Sequence, residues 1–495
     1  MSNLRKIGLG SLILTASRAI VNALGFVSTI MLARLLMPED FGLVAIAVSL
    51  QTIVIAITYV PVSQALIQLK EPSQHHVDTA FTIGLLRSLA IALLFVGASW
   101  PVAAIFEEPR LSNIMLALAA SLLISGITNP RRALLQKSLV FKQEFGIEVV
   151  GKLFTVGLSI TVAYIWQSYW ALVVGTVGGQ LATLIASYTF VRYRPRFDLS
   201  EFRAIWSFSG WMTLSGAIST INWQSDQLFI GKLLSPATVG VYSVGNNLAR
   251  LPTREATMPL TSVLFPAFSN LTSDLPRLAR AYTRAQGLVT AVALPVGVGF
   301  ALIAGRFVPL AMGEKWIPSV IVIQILSSVF AFQTIGSLAQ PLALAMGHTK
   351  TLFKRDIQLF FIRLPIILAG LVLGGLVGVL IARVVAGLIA IGFNVVIVKS
   401  LIGQSIVKQL ANSWRSILSV ILMVIGVEGI SSVMPISGEW IVQLAQAVAL
   451  VVTGGLIYLG GGLLIWIAAG KPQGPEATAL DWTGKGIAAV RARRA

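Results

Sequence analysis

About fourteen apolar runs, each roughly 20 to 28 residues long and bounded by Pro, Gly and charged residues, leave this chain few ways to fold. Their approximate extents are 9–32, 42–67, 79–106, 111–128, 146–166, 169–191, 208–231, 238–267, 286–304, 317–345, 354–374, 376–399, 413–430 and 440–468. A helix of about 20 apolar residues crosses the hydrocarbon core of a bilayer and satisfies its own backbone hydrogen bonds there. The expectation is an all-α polytopic membrane protein with about 14 transmembrane helices. Composition agrees: 56% of residues are hydrophobic and 11% charged, where a soluble domain carries about a quarter charged residues. The first run lacks a small-residue cleavage pattern and is expected to stay as a permanent helix. There is no cysteine, which excludes disulfides, thiolate nucleophiles and cysteine metal sites.

The net charge of +18 is a matter of placement. Counted by alternate loops, about 25 cations fall on one side and about 5 on the other, the five being Arg34, Arg110, Lys232, Arg306 and Lys315. The positive-inside rule makes both termini cytoplasmic and the number of spans even. The remaining basicity serves attraction to anionic lipid, and no nucleic-acid module is visible.

A repeat organises the spans. Residues 34–43 keep a basic residue, a Leu pair, a Pro and a Gly at the spacing found again in 232–241, so the offset is 232 − 34 = 198. Leu14 to Ile20 aligns with Met212 to Ile218 in the same register. Six helices fit within that offset, which puts both copies on the same, periplasmic face as a parallel repeat. The expected organisation is a lobe of six helices over 1–197, a second over 198–404, a helix pair within 405–470 and a basic cytoplasmic tail over 471–495. The motif itself is expected to be a periplasmic hinge or turn. The linking segment Tyr193 to Trp206 reads as a short interfacial helix, and Arg277, Arg280 and Arg284 mark another basic face.

Polar groups within spans are costly and tend to face a bundle interior or an aqueous cavity. In the first span Ser11, Thr15, Arg18 and Asn22 share one helical stripe. Arg18 lies about 14 Å into the bilayer at a rise of about 1.5 Å per residue. In the eighth span Ser243, Asn247, Arg250, Arg254, Thr257 and Thr261 share a face, with Glu255 beside it. The repeat does not conserve these cations: Gly216 stands opposite Arg18, and Thr52 and Ala56 opposite Arg250 and Arg254. Arg87, Lys152, Arg363 and Arg383 add further basic positions, with snorkelling toward headgroups the alternative for Arg87 and Lys152. The candidate substrate-binding residues are therefore Arg18, Asn22, Arg87, Asn247, Arg250 and Arg254. Asp226 and Glu255 are candidates for ion coupling or for charge pairing with an arginine. Arginine in such places suits phosphate or pyrophosphate, since its charge is permanent and its fork donates two parallel hydrogen bonds.

The stretch Arg34-Leu-Leu-Met-Pro-Glu-Asp-Phe-Gly, its counterpart from Lys232 and the segment Val263-Leu-Phe-Pro-Ala-Phe-Ser resemble the polysaccharide-transporter branch of the MOP superfamily. That branch contains the Wzx-type flippases of exopolysaccharide and lipopolysaccharide biosynthesis, and the likeness is to its exopolysaccharide members. The resemblance implies two six-helix lobes around a central cavity lined by spans 1, 2, 7 and 8, a MATE-like fold. It also implies translocation of undecaprenyl-diphosphate-linked oligosaccharide across the bacterial inner membrane by alternating access. Spans 13 and 14 would help form a groove for the lipid tail, where Gly454 and Gly455 allow close approach or serve ordinary packing. A polysaccharide polymerase and co-polymerase are the expected partners.

Rival readings fit less well. No Walker-type loop is present, and no cofactor is expected. A membrane polymerase or ligase commonly carries a sizeable periplasmic loop, whereas these outward loops are short; His75, His76 and His348 lie in predicted cytoplasmic loops without metal-site spacing. An ion-coupled multidrug exporter of the same superfamily is disfavoured by the cation-rich interior.

Overall fold

The computed structural model describes residues 20–69, 71–137, 141–203, 210–434, 439–472 and 474–477. The described residues form helices and connecting turns, with no strand among them. Along the chain they are α1 (Ile20–Leu35), α2 (Pro38–Ile57), α3 (Gln74–Ile105), α4 (Arg110–Gly126), α5 (Phe141–Trp166), α6 (Trp170–Phe190), α7 (Gly210–Leu233), α8 (Pro236–Thr261), α9 (Leu275–Met312) and α10 (Ser319–Ser337). The helix Thr349–Ile402 leaves helical geometry at Gly374 (φ −145°) and Gly375 (φ +55°), which makes it two passes, α11 (349–373) and α12 (376–402). The positive φ at Gly375 is a conformation that side-chain-bearing residues rarely adopt. Helices α13 (Trp414–Val433) and α14 (Trp440–Ala468) complete fourteen long helices among the described residues; the part of the first expected span before Ile20 lies outside them. The fold is that of a multi-pass, all-α membrane protein.

By compactness the chain divides into one unit ending at Ser243 and a second beginning at Val244. In the first, α5 packs on α6, α3 on α4 and α2 on α7. In the second, α9 packs on α10 and α13 on α14. Small residues set these approaches: a Cβ built on Gly175 would fall on the Ser159 side chain, and one on Gly179 on Thr155, both on α5.

The repeated motif forms the tightest backbone contact of the first unit. Each Pro occupies the first turn of its helix, where a missing N–H costs nothing. In the first copy Asp40 accepts the Met37 amide (3.0 Å) and, through its other oxygen, the Tyr169 amide (2.9 Å). In the second, Ser235 accepts the Thr238 amide (3.2 Å). The two helix starts then cross: a Cβ on Gly42 would lie 1.7 Å from the Pro236 carbonyl oxygen, and one on Gly240 would lie 1.7 Å from the Pro38 carbonyl oxygen. Gly42 and Gly240 are repeat equivalents, as are Pro38 and Pro236, so the contact is reciprocal. The motif is a helix crossing rather than a turn alone.

Of the interfacial helix expected over Tyr193 to Trp206, residues 193–201 are not helical, Phe202 and Arg203 are, and 204–206 lie outside the described residues. Residues 192–199 form no regular secondary structure, and Pro195 there cannot donate a backbone hydrogen bond. Side chains of the first turns of α3 hold the segment instead: Tyr193 donates to Asp78 (2.8 Å), and Thr82 Oγ1 accepts the Asp198 amide (3.0 Å). His75 Nδ1 lies 2.7 Å from Asp198 Oδ2. The Ser200 amide and then the His75 ring hold the Asp198 carboxyl down at about 2.

Candidate functional site

The polar stripe of α8 stands out because its charged members are exposed on a membrane helix. Val244, Leu248 and Ala249 are buried, whereas Asn247, Arg250 and Arg254 are exposed. Polar side chains in this setting seek water or a partner. Pro252 and Pro259 interrupt the donor ladder of the same helix, and Thr257 donates to the Thr253 carbonyl (2.8 Å). Arg254 pairs with Glu255 at 2.9 Å. Arg383, on α12, is buried at 4% exposure with its guanidinium 5.7 Å from the centre of the Phe330 ring. The second unit by itself thus carries Arg250 and Arg254 on α8, with Glu255 beside Arg254, and a buried Arg383 on α12.

Arg87 is placed otherwise. Its guanidinium donates to the Thr58 carbonyl (2.6 Å) and the Ile55 carbonyl (2.8 Å), closing the exposed carbonyl end of α2, and lies 6.0 Å from the centre of the Tyr59 ring. Lys152, on α5, lies against Gly25 of α1. Asp226 is buried at 1% exposure and accepts a hydrogen bond from Tyr242 (2.7 Å). Asn22 is half-buried on α1, and Arg18 lies outside the described residues.

A second feature of the unit beginning at Val244 is an apolar cavity of about 340 Å³, walled by Pro252, Pro295, Phe300, Met423, Leu450 and Gly455 among others. It joins α8 and α9 to the final helix pair. Gly454 packs against Val427 and Met423, and Gly455 faces open space, so the adjacent glycines serve packing and opening respectively.

Residues 31–321 match the family described as polysaccharide biosynthesis protein. The chain belongs to that family. Among relatives, it is 25% identical over 401 residues to the lipopolysaccharide biosynthesis protein WzxC of Escherichia coli K12, covering 80% of this chain and 81% of that one. It is 26% identical over 298 residues to the succinoglycan biosynthesis transport protein ExoT of Rhizobium meliloti, covering 59% and 60%. Among solved structures, the lipid II flippase MurJ in an inward closed conformation superposes with a TM-score of 0.70 at 14% identity, over 91% of this chain and 98% of that one. A multidrug-resistance MATE transporter of the MOP superfamily in an inward-facing conformation gives a TM-score of 0.60, also at 14% identity, over 78% and 96%. The MOP fold expected from the motif is thus shown.

Sequence reasoning grouped Arg87 with the cavity arginines because it lies within a span. Its role at the end of α2 depends on where that helix stops in space, which spacing alone does not report. The burial of Arg383 against Phe330 is likewise tertiary, although Arg383 is legible as a basic residue in the twelfth span.

Proposed function

We propose that this protein is a transporter, not an enzyme, that carries undecaprenyl-diphosphate-linked oligosaccharide repeat units across the bacterial inner membrane for exopolysaccharide or lipopolysaccharide assembly. The observation that carries the reading is the exposed stripe of Asn247, Arg250 and Arg254 on a membrane helix, two guanidinium groups and an amide on one face. A diphosphate is a dianion or more, and guanidinium forks bind it with charge-assisted, paired hydrogen bonds that survive at any physiological pH. Arg18, on the first helix by sequence, is assigned the same role. The apolar cavity bordered by Pro252 and Leu450 suits the polyprenyl tail, since burying hydrocarbon there costs no polar desolvation.

Alternating access follows from the repeat: two lobes, 1–197 and 198–404, rock about the substrate and expose the headgroup first to the cytoplasm, then to the periplasm. The termini are cytoplasmic in this reading, as the distribution of cations requires. A polymerase and co-polymerase receive the delivered unit. The names of the relatives support the reading, in that one is a biosynthesis transport protein and one a lipopolysaccharide biosynthesis protein.

Deletion of the gene is expected to leave lipid-linked repeat units on the cytoplasmic side of the membrane and to remove surface polymer. Loss of repeat-unit synthesis itself would overturn the proposal.

A further inference from the structure

The end of the second unit that carries the cation excess holds a built pocket that the transport reading does not use. Helix α12 ends at Ile402, the chain turns through Gly403 (φ +69°), and the short helix Ile406–Ala411 leads into α13. Side-chain amides fix this turn. Gln409, fully buried, donates to the Val395 carbonyl (3.0 Å) and the Gln404 carbonyl (2.9 Å). Gln404 donates to Thr283 Oγ1 (2.7 Å), and Asn412 donates to the Thr283 carbonyl (2.8 Å). The walls so fixed border an open recess of about 620 Å³ and carry Arg280 and Lys408, with no carboxylate among the described lining residues. Thr283, Gln404, Ser405 and Asn412 supply neutral polar groups.

A second observation comes from the helix beside the pocket. Val407 is 75% exposed and Leu410 44%, and Trp414 at the start of α13 is 46% exposed. A short helix with outward apolar side chains, next to a tryptophan and a cationic recess, matches the headgroup level of a bilayer. Cations near an anionic leaflet gain attraction there, and a phosphate diester presents oxygens to both arginine and lysine donors.

We propose that this pocket binds the headgroup phosphate of an anionic phospholipid, held between Arg280 and Lys408, with the acyl chains running past Val407 and Leu410. The site is independent of the transported substrate, so it stands or falls separately from the flippase reading.

The full-length protein in phosphatidylcholine nanodiscs doped with phosphatidylglycerol is the test, with retained lipid read by native mass spectrometry. The wild type is expected to retain phosphatidylglycerol over phosphatidylcholine, and R280Q/K408Q to lower that preference about tenfold. R277Q/K350Q, which removes equal charge outside the pocket, is expected to keep it. Val407→Glu leaves both cations in place and is expected to lower retention, so the proposal does not rest on the charge variant folding. No preference in the wild type, equal loss in the two charge variants, unchanged retention in Val407→Glu, or displacement of phosphatidylglycerol by inorganic phosphate would each overturn it; the last would mark a site for a soluble phosphate.

Discussion

Helices α2 and α8 begin alike and then diverge. Each starts with a Pro in its first turn, and each carries, four residues on, a Gly that admits the other helix's proline carbonyl. Further along, the same register holds opposite chemistry. In α2, Ser49 is buried and donates to Gln227 Oε1 (2.9 Å), Thr52 donates back to the Val48 carbonyl (2.7 Å), and Ala56 follows. In α8 those places are Asn247, Arg250 and Arg254, all exposed. Helix α2 stops at Ile57, where Arg87 closes it; the equivalent position in α8 is Glu255, and the helix runs on to Thr261. Where two backbones must meet, the repeat is kept on both sides. Beyond the crossing, one copy carries charge on an exposed face and the other carries small, buried or half-buried residues.

The largest expected effect lies at the shared crossing. Gly42→Val and Gly240→Val each force a side chain into a backbone carbonyl that has no rotamer to yield, and each is expected to destabilise by about 3 kcal/mol or more. Thermal unfolding of the purified protein and surface-polymer yield should fall in both variants. Tolerance of one and failure of the other would break the reciprocity of the contact.

The charged face separates the copies next. Arg250→Ala is expected to reduce export roughly ten- to a hundredfold, the loss of about 1.5–3 kcal/mol of charged hydrogen bonding, with the protein level unchanged. Thr52→Ala, its repeat partner, should leave export within about twofold, since an exchange of this size away from special features changes little. Arg250→Lys keeps the charge without the fork and should fall between them. Equal loss from Arg250→Ala and Thr52→Ala would remove the idea that one copy alone holds the anion.

Arg87 tests the same asymmetry through stability. Arg87→Ala leaves two carbonyls at the end of α2 without their donor and is expected to cost about 2 kcal/mol in thermal unfolding. Its repeat equivalent is Ala285, where α8 needs no such closure. A variant of normal stability that exported nothing would instead place Arg87 on the substrate path.

The spans were legible because apolar length and Pro, Gly and charge boundaries respond to the bilayer alone; even the hairpin at Gly374 and Gly375 falls between two predicted runs. The repeat offset was legible too, and it correctly paired Gly42 with Gly240. What spacing could not say is that the pair touch, because a Pro followed by Gly reads as a turn wherever it stands. The first part of the linker after α6 departs from a helix for a related reason. Its sequence has the charge pattern of an interfacial helix, but Asp78, Thr82 and His75 offer it partners from α3, and tertiary hydrogen bonds override a local preference. Arg87 shows the limit most plainly: a cation within a span points to a cavity or to an open helix end with equal force until the helix end is located.

Glu255 gives the smallest effect and the finest division between the two helices. It pairs with Arg254 at 2.9 Å in a setting open to water, and such a pair is worth less than about 1 kcal/mol, so Glu255→Gln should leave thermal stability almost unchanged. The stripe would then hold Arg254 without its acid, and affinity for a diphosphate should rise by a few-fold while release slows, since more positive charge favours the bound anion. Binding of undecaprenyl diphosphate to the purified variant, measured beside export in cells, separates the two: tighter binding with slower export fits a stripe tuned to let its ligand go. Unchanged binding would mean that Glu255 belongs to the packing of α8 and does not tune the stripe that distinguishes this helix from its repeat partner.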